Sequence, residues 1–312
     1  MAVVLVILMY VTYSRLKFDE CRLVWAPEKK LIVEMLGFSG WNFVGVMAGV
    51  LRGQGINMLL NLFCGPVVNA ARGLAMQVDK AVTRFSSSFV MAINPQITKN
   101  YAAGQREEYE RLTMTGSKIS FLLLFFLCLP VLMQTGYLLD LWLVKVPEHT
   151  RLFVILILCQ ALVDSFSTPL ITLLLATGCV GRYQILVGGA TLLNFPLAYL
   201  LLYLGFMPES TVCSIIAISV VTLSLRLYCL HRQTGFPVKK YLCRVTLVAL
   251  RVVLLSIILP LAMNTLWTTT SIPVFVLKVV AMETVALVVI VWFGLNKAER
   301  HFIYNTIKKK LK

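Results

Sequence analysis

The chain has 312 residues, 59% hydrophobic and 14% charged, with a formal net charge of +15 and a mean hydropathy of +0.83. A water-soluble domain holds about 45–50% apolar and about 25% charged residues, so composition excludes that class and points to a polytopic membrane protein. The surplus of cations does not call for nucleic acid as a partner. Most Lys and Arg lie in short segments between apolar runs, where anionic lipid headgroups and the positive-inside rule account for them.

Residues 1–13 are apolar but too short to span. No basic stretch precedes them and no small-residue cleavage site follows, so they read as the end of a preceding membrane helix rather than a signal peptide. Residues 14–38 form a polar linker carrying Arg15, Lys17, Arg22, Lys29 and Lys30. A first full span is expected at 39–63. Within it Gln54, Asn57 and Asn61 make a polar stripe near Arg52, and Gly53 and Gly55 predict a local break or close helix packing. Cys64-Gly65-Pro66 predicts a tight turn.

The next helix, 69–94, is long enough to cross a bilayer yet carries Arg72, Asp79, Lys80 and Arg84. On a helical wheel Asn69, Arg72, Lys80, Arg84, Ser87 and Asn94 share one side, with Gln77 and Asp79 at its edges. Leu74, Val78, Val82, Phe85 and Phe89 fall on the other. A charge at bilayer depth costs about 2.5–3.5 kcal/mol on insertion scales, so the charged side must meet water, a partner or a ligand. A surface amphipathic helix is the competing reading. Asn94-Pro95 is expected to end the helix.

Residues 96–118 are polar and read as a solvated loop helix. Further spans are expected at 119–140, 151–177, 183–205, 211–230, 245–264 and 273–295. Asp164 lies among them with no obvious cation near it in its own helix; it reads either as a hydrogen-bonded structural carboxylate or as an ion-coupling site, and is the first choice for a proton or sodium site. Asp79 is the second, and is expected to pair with Lys80. Arg251 and Lys278 are expected to snorkel. Eight scattered cysteines and three histidines lack any metal-ligand or disulfide spacing, so no metal and no cofactor are expected. Counting by alternate loops, one set holds 21 of the 29 Lys and Arg, and the opposite set only Lys145 and Arg151. That segregation predicts a cytoplasmic C-terminus. It also requires the charged helix to span, because omitting it scrambles the alternation downstream.

The expected fold is therefore all-α, with about eight transmembrane helices after the truncated first one. Several runs also carry a resemblance: FSGWNFVGVMAGVLRGQGINMLLNLFCGPVVNAARGLAMQV at 38–78, AINPQITKNYAAG at 92–104, LWLVKVPEHT at 141–150 and LNKAERHFI at 295–303. This chain resembles the C-terminal part of Wzx-type O-antigen and capsule flippases of the multidrug/oligosaccharidyl-lipid/polysaccharide (MOP) exporter superfamily, most closely those of Bacteroides-type bacteria. The resemblance implies two facing six-helix bundles, often with two extra helices. Here it covers the second bundle (39–231), two additional helices (232–296) and a basic cytoplasmic tail (297–312). It further implies that the missing N-terminal bundle, or another subunit, completes the cavity. The alternatives are a fragment, a late start codon or split gene, and half of an assembly.

The implied activity is alternating-access translocation of undecaprenyl-diphosphate-linked oligosaccharide across the bacterial inner membrane for lipopolysaccharide or other surface polysaccharide, with no covalent chemistry. Polysaccharide polymerase and glycosyltransferases are the implied partners, beside membrane lipids. Arg52, Arg72, Lys80 and Arg84 are the candidate phosphate contacts, and Gln54, Asn57 and Asn61 suit sugar hydroxyls. A drug or peptidoglycan-precursor exporter of the same superfamily, and a membrane-embedded enzyme of polysaccharide assembly, are the alternatives.

Overall fold

The computed structural model describes residues 2–18, 28–266, 271–296 and 299–300. Parts of the 14–38 linker and nearly all of the 297–312 tail lie outside the described residues. Among those described, every regular element is helical. Contacts divide the chain into two units, Met1–Gly40 and Trp41–Lys312. The first holds α1 (Ala2–Lys17) and the opening turns of α2 (29–64).

The second unit continues with α3 (Pro66–Ala102), α4 (Arg106–Met133), α5 (Thr135–Trp142), α6 (Thr150–Ala176), α7 (Val180–Tyr203), α8 (Ser210–Thr234), α9 (238–266) and α10 (Ile272–Gly294). Seven helical stretches are long and apolar enough to cross a membrane, and α3 has the length but not the hydropathy. The chain is an all-α, polytopic membrane protein, with a perimeter of exposed Leu, Val, Ile and Phe suited to lipid.

The centre is α4, which packs against α3, α6, α9 and α10. Its apolar stripe of Phe121, Leu124, Phe125, Cys128 and Leu129 is buried, and Phe121 stacks on Phe166 of α6 at 4.5 Å between ring centroids. A turn at Phe166 interrupts α6, and the Phe166 carbonyl accepts hydrogen bonds from Ser117 Oγ of α4 (3.0 Å) and Tyr241 Oη of α9 (3.3 Å).

Glycine placement explains the sharpest turns and the closest approach. Gly65, at φ +84°, ends α2, and Pro66 opens α3 at a position where its missing N–H costs nothing. Within α2 the segment Leu51–Gly55 forms a π-helical turn. Gly55 there is buried with the Phe195 ring of α7 against it, at 2.7 Å from where a Cβ would stand. Replacing Gly55 by Leu is expected to destabilise the protein by about 1–3 kcal/mol through overpacking. Gly49→Ala, in open space on the same helix, is expected to be neutral or stabilising by up to about 1 kcal/mol. Thermal unfolding in detergent compares the two.

Three expectations are corrected. First, α3 does not end at Asn94; it runs through Pro95 to Ala102. Beyond the proline, the buried Ile97 and the Tyr101–Tyr109 ring contact hold the chain helical. Gly104 (φ +70°) then closes a Schellman cap, with Gln105 N–H on Asn100 O and Gly104 N–H on Tyr101 O. Second, 96–118 is not a loop: the turn is only 103–105, and the expected 119–140 span is α4 followed by the separate α5. Arg106–Glu110 and Arg111–Glu108 pairs line its exposed first turns. Third, Lys278 does not snorkel; it is buried in α10, while Arg251 is exposed.

The connections sort to two ends. Arg106 reaches the Gly235 carbonyl, and Gln233 reaches Thr177 and the Cys179 carbonyl, so the turns near 104, 178 and 235 meet at one strongly basic end. At the other, His149 Nδ1 lies 2.6 Å from Glu209 Oε1 and Arg151 pairs with Asp140.

Candidate functional site

The polar residues of α2 and α3 divide into two groups, which share Gln54. The first is an inward network. Within the π-turn, Arg52 Nη2 donates to Asp164 Oδ2 of α6 (2.9 Å) and to Ser219 Oγ of α8 (3.0 Å), and Gln160 Nε2 approaches the same Asp164 oxygen at 3.4 Å. Arg72 of α3, only 4% exposed, donates to Asn57 Oδ1, and Asn57 Nδ2 donates to Gln54 Oε1 at 3.2 Å. Arg72 and Arg52 interact electrostatically, as do Asp79 and Asp164. Buried Asp79 Oδ1 and Arg72 Nε have no hydrogen-bond partner among the described residues.

The second group faces outward. Gln77, Lys80, Arg84, Ser87 and Ser88 are exposed on α3, as are Gln54 and Asn61 on α2. The Arg84 carbonyl accepts both the Ser87 and Ser88 hydroxyls. Lys80 and Arg84 have no carboxylate partner among the described residues.

Helix geometry explains the split. Arg72 and Asp79 are seven residues apart, about 20° from the same azimuth, whereas Lys80 and Arg84 lie about 80° and 120° around the helix. The buried positions Ala71, Arg72, Ala75, Ser86, Val90 and Ile97 mark the inward side. The single charged side expected from the wheel is thus two: a paired inner edge and an exposed cationic face. The expected greasy side is not the packed one, since Phe85 is 72% exposed while Arg72 is buried. Asp79 and Lys80 form no salt bridge, with Lys80 exposed and Asp79 Oδ1 buried, although the two charges interact electrostatically.

Of the sequence-predicted residues, the structure joins Arg52 to Asp164, and Gln54, Asn57 and Arg72 to one another. It leaves Asn61, Lys80 and Arg84 outside both sets. Two contributors come from α8: Ser219, and Arg226, whose Nη1 donates to Ser167 Oγ and Thr222 Oγ1, each at 3.1 Å. Their signal in the sequence is the spacing Ser219, Thr222, Arg226, one face of an otherwise apolar helix.

A family model, MatE, matches residues 43–200, just over half of the chain, from before the π-turn through most of α7. No curated protein and no solved structure matches it. The matched segment contains every polar residue of α2 and α3 described above, together with Asp164. A lipid-facing perimeter, polar groups held at bilayer depth and this family match agree: the chain belongs to the MatE family and is a multi-pass membrane transporter of the MOP exporter superfamily.

Proposed function

We propose that the chain moves an undecaprenyl-diphosphate-linked oligosaccharide across the bacterial inner membrane. The observation that carries this reading is the exposed face of α3. It presents Lys80 and Arg84 with no salt bridge to a carboxylate among the described residues, while Asp79 Oδ1 of the same helix is buried. Cations at bilayer depth are costly, and this pair suits an anionic cargo. A cationic drug would be met by exposed carboxylates, so the sign of the face favours the lipid diphosphate over the drug-exporter alternative. A diphosphate offers charge-assisted contacts to both side chains, and Gln54, Gln77 and Asn61 supply groups for sugar hydroxyls.

In this reading residues 39–231 are one six-helix lobe, 232–296 two additional helices, and a second lobe closes the cavity over the polar face. Alternating access is a rocking of one lobe against the other. The Arg52–Asp164–Ser219 network ties α2, α6 and α8, and α3, packed along α6, moves with them as one body. The test is lipid flipping by a complete two-lobed protein in proteoliposomes. Diphosphate-linked oligosaccharide should cross at a rate well above protein-free vesicles. Efflux of a cationic dye without oligosaccharide flipping refutes the reading.

The basic end is assigned to the cytoplasm, with the C-terminus, by the positive-inside rule. In a cysteine-free background, a membrane-impermeant maleimide applied to intact cells is expected to label Val144→Cys and not Gln105→Cys, both exposed positions. Labelling of the second from outside reverses the orientation.

A further inference from the structure

The basic end holds a cleft of about 1130 Å³ between α3, α4, α9 and the residues Asn296 and Glu299. Five cations line it, Arg106, Arg111, Lys118, Lys240 and Arg244, against three carboxylates, Glu107, Glu110 and Glu299. Three of the cations are already matched: Arg106 by Glu110, Arg111 by Glu108 and Lys118 by Glu299 at 2.6 Å. Lys240 and Arg244 are exposed and have no carboxylate partner among the described residues.

Their placement is built rather than incidental. Phe236 and Tyr241, on either side of Lys240, are fully buried and in ring contact. His231 Nδ1 lies 3.0 Å from the Phe236 carbonyl. The π-helical turn Leu242–Thr246 follows, so Lys240 and Arg244 open on one side together with the buried Val245.

Below the cations the lining turns apolar: Phe89, Ile93, Leu112, Met114, Ile119 and Val245. Phe89 lies 13 residues before the end of α3 at Ala102, about 20 Å along the helix axis. The cleft therefore has a cationic mouth at the end of the bundle and a greasy floor running toward the bilayer centre. Basic pockets between transmembrane helices at a membrane surface suit anionic lipid headgroups.

We propose that this cleft is a binding site for an anionic phospholipid, its phosphate held by Lys240 and Arg244 and an acyl chain laid along Phe89, Ile93 and Ile119. The site is separate from the exposed face of α3 around Lys80 and Arg84, and it stands whether or not the cargo is an oligosaccharide lipid.

The test uses the full chain purified in detergent, with equimolar phosphatidylglycerol and phosphatidylcholine, and native mass spectrometry to read the lipid retained. The wild type should retain phosphatidylglycerol with a preference of about tenfold or more. Lys240→Gln and Arg244→Gln should each lower that preference by roughly fivefold, and the double variant should bring it within twofold of none. The Lys240→Arg, Arg244→Lys double variant should keep it. Lys239→Gln, exposed on the same turn but outside the cleft, should change nothing. Should the double variant not purify, the single variants read the same site. Undiminished preference in both single variants overturns the proposal. So does an equal loss in Lys239→Gln, which makes it a property of the whole basic end. Displacement of the lipid by a tenfold excess of free glycerol 1-phosphate assigns the site to soluble phosphate and overturns the lipid as its source.

Discussion

Lys80→Gln and Arg84→Gln are each expected to cut export per inserted molecule by roughly tenfold to a hundredfold, with membrane abundance unchanged. A charge-assisted contact is worth about 1.5–3 kcal/mol, and these two cations are exposed and form no salt bridge among the described residues. Arg84→Lys should also lose activity where the contact is bidentate, because an ammonium cannot present the planar fork. Arg72→Gln is expected to behave differently. Arg72 is buried and donates to Asn57, so its loss should lower the amount of inserted protein, and export normalised to that amount should recover. The measurement is lipid-linked oligosaccharide flipped per molecule in a complete two-lobed protein. Unchanged export per molecule in both the Lys80 and Arg84 variants removes α3 from the substrate path.

Asp164→Asn carries the second large effect. Breaking one partner of a buried pair costs about 3–5 kcal/mol. Here the Arg52 and Asp164 side chains are 22% and 34% exposed, so solvent screening reduces the expected loss to roughly 2 kcal/mol. Arg52→Gln should cost a similar amount, and the double variant less than the sum, with a coupling of about 0.5–3 kcal/mol. The same variants test ion coupling. If Asp164 takes up the coupling proton or sodium, releasing Arg52 at that moment, Asp164→Asn should make flipping insensitive to a collapsed gradient while leaving downhill transport. If the pair is only a tie between α2, α6 and α8, stability falls and gradient dependence stays. Unfolding in detergent, set beside transport with and without an ionophore, separates the two.

The helices were legible because bilayer-length apolar runs are a strong and local signal, and the spacing of cations fixed which turns share an end. The helix limit at Pro95 was not legible. Proline weakens a helix locally, but the packing of Ile97 and Tyr101 that carries α3 onward comes from elsewhere in the fold. The wheel placed Arg72 beside Lys80 because it scores polarity alone. Which polar residue turns inward depends on whether another helix offers it a partner, and Asn57 offers one to Arg72 while no other helix among the described residues offers a hydrogen bond or salt bridge to Lys80. The Arg52–Asp164 pair joins residues 112 positions apart, so no periodicity within either helix announces it. The same limit left Asp164 without a visible cation in the sequence, although one stands 2.9 Å away.

The π-helical turn at Leu51–Gly55 sets a phase. Such a turn accommodates one residue more than regular α-helix would, so everything after it is rotated by about 100° relative to an uninterrupted helix. Asn57 meets Arg72 because of that offset, while Trp41 and Gly45, ahead of the turn, keep their own alignment with Gly181 and Gln184 of α7. Loss of the single codon for Gly53 would leave length, composition and hydropathy almost untouched and still swing one half of α2 against the other. Either Asn57 would leave Arg72 or Gly45 would leave Gln184. In this helix an insertion or deletion of one residue is the more damaging genetic event than most substitutions, and a hydropathy profile would not register it.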